Sequence, residues 1–77
     1  MIKFKHDGIN YETGSIIQPL QDNQHFIVHT INELDNLYIV MLLRVYKHND
    51  LYYTGDMEDM VNLYIAKDKI SKTIQLV

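Results

Sequence analysis

The sequence predicts a mainly β protein, bordering on α+β, built as a small, strongly bent antiparallel sheet with one short helix near residues 56–65. Three observations carry this. Residues 37–45, Leu-Tyr-Ile-Val-Met-Leu-Leu-Arg-Val, open with seven side chains whose only polar group is the Tyr38 hydroxyl, a run far below the roughly 18 residues of a membrane span. Ten isoleucines, five valines, four threonines and six tyrosines stand against a single alanine, and β-branched and aromatic side chains suit a pleated, half-buried surface better than a helix. Asp7-Gly8 is a type I′ turn dipeptide set between alternating segments.

Folding residues 2–13 about Asp7-Gly8 pairs His6 with Ile9, Lys5 with Asn10, Phe4 with Tyr11, Lys3 with Glu12 and Ile2 with Thr13. That register places Phe4 beside Tyr11 on one face and the opposite charges Lys3 and Glu12 on the other. Gly14 interrupts, and residues 15–18 read as a short strand ending near Pro19, which has no amide to continue a ladder. A polar loop over residues 18–24 leads to alternation over 25–31, with Phe26, Val28 and Thr30 on one side and His25, Ile27, His29 and Ile31 on the other. Neither side is purely polar.

Thr30-Ile31-Asn32-Glu33 has the spacing of a helix capping box. A helix over residues 31–47 would be apolar nearly all round and would need a large core around it, which so short a chain lacks. A turn at Leu34-Asp35-Asn36 followed by a long strand is the better reading. Residues 45–47 and 51–54 then form a second hairpin with a loop of three to four residues around His48-Asn49-Asp50. After Gly55 the period changes: Asp56 is placed to cap a helix with Glu58 and Asp59 in its first turn, and Met57, Met60, Val61 and Tyr64 share one helical face. Lys67-Asp68-Lys69 reads as a turn and residues 70–76 as a last strand. Six or seven short strands and one helix follow the element order of SH3-like barrels, a likeness that licenses no function.

The central run poses a problem of covering. If one face of residues 37–45 fills the interior, the other still presents apolar side chains, whether Tyr38, Val40 and Leu42 or Leu37, Ile39, Met41, Leu43 and Val45. Soluble monomers rarely expose so much contiguous apolar surface. Either the helix covers the second face or another chain does, and a homodimer meeting through Tyr38, Val40 and Leu42 is the simplest assembly.

Seventy-seven residues read as one domain, 1–77, and a chain of this size buries only about 60% of its unfolded surface. The absence of cysteine excludes disulfides, thiolate zinc sites and cysteine catalysis. No signal peptide or membrane span is read, so a soluble, cytoplasmic protein is expected. A formal charge of −3 argues against general affinity for phosphate backbones.

No catalytic constellation is found, and no cofactor or metal is expected. His25 and His29 would lie about 13 Å apart on a strand, too far to share an ion. The carboxylates of Asp56, Glu58 and Asp59 are accounted for by a helix dipole. The region 48–66 nevertheless has four acidic residues and no lysine or arginine, interleaved with Tyr52, Tyr53, Met57, Met60 and Tyr64. Tyrosine and methionine are enriched in interfaces, and rim carboxylates steer basic partners; the plain alternative is a core stripe backed by a solvated acidic face.

The first functional expectation is therefore a non-enzymatic protein–protein interaction module, a small accessory or inhibitor protein of a bacterium or phage. It would use Tyr52, Tyr53, Asp56, Glu58 and Asp59 against another protein with a basic surface. The alternative is a nucleic-acid-binding small β-barrel, with Lys3, Lys5, Lys47, Lys67, Lys69 and Lys72 as a basic strip and Tyr46 to stack a base.

Overall fold

The computed structural model describes residues 2–19, 24–70 and, as backbone, 75–76. Its strands are β1 (Ile2–His6), β2 (Ile9–Glu12), β3 (Ile16–Ile17), β4 (His25–Glu33), β5 (Leu37–His48), β6 (Leu51–Thr54), β7 (Val61–Ala66) and β8 (Gln75–Leu76), with short 3-10 turns at Met57–Asp59 and Lys67–Lys69. They form two antiparallel sheets, β2-β1-β8 and β3-β4-β5-β6 with β7 also on β5, and no closed barrel. The mainly β expectation holds. Most of the expected 18–24 loop and 70–76 strand, including Lys72, lies outside the described residues.

The first hairpin has the expected register from His6–Ile9 to Lys3–Glu12. Asp7 (φ 50°) and Gly8 (φ 80°) take the left-handed conformations of a type I′ turn. Ile2 departs from expectation, pairing with Leu76 on the other side of β1 rather than with Thr13. Thr13 lies in a turn in which Ser15 N–H donates to Glu12 O and Gly14 N–H to Val28 O, so the chain passes directly from the first sheet into the second. His6 Nδ1–H donates to Lys69 O at 3.0 Å, since a carbonyl can only accept, and this ties the hairpin to the second 3-10 turn.

In the larger sheet β5 is the long central strand. β4 pairs along residues 38–45 on one side; on the other, β6 takes residues 45–48 and β7 takes residues 37–42. The β5–β6 turn is the two residues Asn49 and Asp50, both at positive φ, tighter than the loop expected; Asn and Asp are among the residues most tolerant of that conformation.

The expected helix near 56–65 is replaced by the 3-10 turn Met57–Asp59 and strand β7. Hydrogen bonding decides this against local spacing. Without β7, residues 37–42 of a buried strand would have an unpaired backbone edge, and buried N–H and C=O groups require partners. As a strand, residues 61–66 also turn Leu63 and Ile65 inward, whereas Met57 and Tyr64, on the expected apolar helix face, are exposed.

One residue resolves the two-sided apolar pattern of β4. Val28 pairs with Leu42 but Thr30 with Met41, leaving His29 as the extra residue of a β-bulge. The bulge shifts the alternation, so that Phe26, Val28 and then Ile31, rather than Thr30, serve the core. His29 is exposed, its Nδ1 2.6 Å from Thr30 Oγ1.

The core lies between the sheets: Phe4 and Tyr11 from one, and Ile17, Phe26, Val28, Tyr38, Val40, Leu42 and Ile65 from the other. Tyr38, Val40 and Leu42, expected at an oligomer interface, point inward and are buried by the chain itself. The face of β5 expected to meet a partner is thus the one that fills the chain's own core. Phe4 stacks on Tyr11 at 5.2 Å and on Tyr38 at 4.8 Å, so one phenyl ring joins the sheets. At the rim, Lys67 Nζ bonds Glu33 Oε2 at 2.7 Å and lies 5.2 Å from the Tyr38 ring centroid.

Phe4→Ala should cost about 3–5 kcal/mol, a large share of a domain stability of order 5–15 kcal/mol; urea denaturation followed by circular dichroism measures it. A second expectation concerns alkali. Burial, with Glu33 adding and Lys67 opposing, raises the Tyr38 pKa; burial and then Asp7 raise that of Tyr11; and the Glu33 hydrogen bond raises that of Lys67. A raised folded-state pKa means that the native state holds its proton longer than the unfolded chain. This stability is therefore complete below about pH 10 and is lost as pH climbs through the folded values. Melting temperature should fall from about pH 10 upward, and Tyr38→Phe should make the fall shallower.

Candidate functional site

Beyond Val45, the last β5 residue paired with β4, β5 continues with β6 alone, pairing Tyr46 with Tyr53, Lys47 with Tyr52 and His48 with Leu51. Residues 46–53 are thus a two-stranded arm on a molecule 39 × 24 × 24 Å in extent. Such a ribbon is marginally stable by itself, and this one keeps Tyr46, Leu51, Tyr52 and Tyr53 exposed.

The residues expected to form one acidic, tyrosine-rich surface are all exposed, but pleating divides the tyrosines between two faces. Tyr52 shares its face with Lys47, whose Nζ lies 5.9 Å from the ring centroid, and with His25, whose ring is 6.4 Å away. Tyr53 stands opposite Tyr46 on the other face, where the Arg44 guanidinium lies 4.7 Å over the Tyr46 ring. The arm therefore offers two aromatic faces, each with a cation. Tyr46 and Arg44 were not expected in this surface; the available signal was the second hairpin, which sets Tyr46 opposite Tyr53 with Arg44 two residues away on the same face.

Gly55 joins this arm to the acidic turn. Its N–H donates to Arg44 O at 2.7 Å, and a Cβ there would come within 3.3 Å of Tyr46 Cε2 and 3.4 Å of Arg44 O. A larger residue would have to displace the Tyr46 ring or the turn. The chain then bends through Asp56 to Met60, held by Asp59 N–H to Asp56 O and Met60 N–H to Met57 O. Asp56 makes no side-chain capping bond, so Asp56, Glu58 and Asp59 all remain exposed, with Met57 among them.

The lysines of the alternative reading are dispersed over several elements. Lys3 and Lys5 face away from the core on β1 opposite Glu12 and Asn10, Lys67 is committed to Glu33, and Lys47 lies 4.0 Å from Asp50 on the arm. Among the described residues no three His, Asp or Glu side chains are grouped to hold a metal ion, and no helix is long and apolar enough to cross a membrane.

Comparisons with protein-family models, curated proteins and solved structures returned no match. The functional reading therefore rests on geometry.

The acidic turn is held by its backbone, so a variant combining Asp56→Asn, Glu58→Gln and Asp59→Asn should match the parent in stability to within about 0.5 kcal/mol per site. Chemical denaturation checks this. A large loss would assign these carboxylates a structural role.

Proposed function

We propose that the chain is a protein-interaction module whose contact site is the β5–β6 arm with the acidic turn that follows it. The observation that supports this reading is the exposure of Tyr46, Leu51, Tyr52 and Tyr53 on a ribbon two strands wide. Folding gains little from leaving four large apolar side chains in water, whereas rigid aromatic groups beside polar handles suit a contact surface. Seating the arm in a partner's groove would remove them from water and order a ribbon with few neighbours of its own.

Asp50, Asp56, Glu58 and Asp59 flank the arm, so a partner with basic residues around an apolar groove fits best; the rim charges would speed encounter and the tyrosines would slow release. A small non-catalytic inhibitor or accessory protein of bacterial or phage origin is the setting this reading suggests. The dispersed lysines give the nucleic-acid alternative less support.

The test compares proteins retained by the parent with those retained by Tyr53→Ala and by the acidic-turn triple variant, using quantitative mass spectrometry. Tyr53→Ala should release the specific partner by about tenfold or more, and the triple variant should bind more slowly with a weaker salt dependence. Equal retention by all three proteins would sink the proposal.

A further inference from the structure

The larger sheet has a second face, turned away from the core, which belongs neither to the interior nor to the arm proper. From the registers it carries Ile16 on β3, then His25, Ile27, Thr30 and Asn32 on β4, and Leu37, Ile39, Met41, Leu43 and Val45 on β5, with Asn62, Tyr64 and Ala66 on β7; the His25 imidazole lies at the end towards the arm. The core cluster takes no side chain from it. Leu43 and Val45 are buried, Ile27, Leu37, Ile39 and Met41 are half-buried, and Ile16 and Tyr64 are 45% and 62% exposed. The segment expected to cover this face as a helix is instead strand β7, lying in the sheet itself.

We propose that a second copy of this chain packs on this outer face, sheet against sheet about a twofold axis, with Ile39, Met41 and Tyr64 at its centre. Charge favours a self-partner. No Asp or Glu lies among the described positions of this face and its only lysine is Lys47, out on the arm. Two copies can therefore meet without opposing like charges, while the described carboxylates sit in turns, on the other sheet or, for Glu33 at the end of β4, on the inward side paired with Lys67. A partner selected by charge would find little to read here; an identical face, equally neutral, matches it.

Size suits a small interface. Nine residues of β5 span about 30 Å and three strand rows, β4, β5 and β7 followed by β6, about 14 Å, a flat area of about 420 Å². With the relief of exposed side chains such as Tyr64 and Ile16, this corresponds to the low end of specific interfaces, below about 1,200 Å² in total, and to a dimer of micromolar affinity. Twisted sheets stack face to face near −30° and about 10 Å apart, so the pairing needs no remodelling of either copy. It goes beyond the proposed function and leaves the arm available.

The experiment is solution mass by light scattering from low to high micromolar protein, on the parent and on Tyr64→Lys, Ile39→Lys and Leu51→Lys. The parent should have twice the chain mass, and a lysine at position 39 or 64 should raise the dimer dissociation constant by about 30-fold or more. Leu51→Lys, on the arm, should leave it unchanged. Tyr64 is the most exposed of these face residues, so Tyr64→Lys decides the matter should Ile39→Lys fail to fold by circular dichroism. Isotope-filtered NOEs in mixed samples should reach the Met41 methyl from the other copy. A parent that stays monomeric throughout, or a dimer broken by Leu51→Lys but kept by Tyr64→Lys, would overturn the proposal.

Discussion

The Tyr11–Phe4–Tyr38 ring stack is the contact on which the fold depends. A chain this short has little apolar area with which to offset its loss of conformational entropy, and its two sheets are each too small to bury a face alone. Phe4 lies 5.2 Å from Tyr11 and 4.8 Å from Tyr38, joining the local hairpin to the strand that organises the larger sheet. Large rings give much buried area for few ordered torsions. The Glu33–Lys67 pair at the rim of Tyr38 adds specificity more than energy, as half-exposed ion pairs do.

Once Tyr38 is fixed inward, strand alternation fixes the rest of β5. Val40 and Leu42 follow it into the core, and Leu37, Ile39 and Met41 are committed to the other side. β4 must present apolar residues to the same interior, and its sequence does so only by changing phase, through the bulge at His29. β7 then completes hydrogen bonding along residues 37–42. A central strand that is apolar on both sides can satisfy its backbone with neighbours in the sheet, but only one of its faces with this chain's own core.

Two unlike surfaces result. The arm is narrow, aromatic on both faces and flanked by carboxylates; the outer face is broad, neutral and aliphatic. The first resembles a projection that enters a groove and the second a wall that meets another wall. Their chemistry differs enough that one molecule can use both at once, and a dimer through the wall would present two arms to a partner, with the gain in avidity that follows when geometry allows both to engage.

The sequence by itself determined what short-range physics controls. Asp7-Gly8 demands a type I′ turn, and the turn dictates the Phe4–Tyr11 and Lys3–Glu12 registers; the abundance of isoleucine and tyrosine dictates strands; the run from Leu37 dictates a strand apolar on both faces. The exposed positions of Tyr52, Tyr53, Asp56, Glu58 and Asp59 were legible too, though not the division of the tyrosines between two faces. Tertiary structure alone decided which face of β5 turned inward, because alternation is symmetric until a partner such as Phe4 selects a side. It also decided the fate of residues 56–66, where a helical spacing of Met57, Met60, Val61 and Tyr64 yielded to the unpaired edge of β5. Local preferences amount to tenths of a kcal/mol per residue, and each buried backbone group left without a hydrogen bond costs about 1–3 kcal/mol.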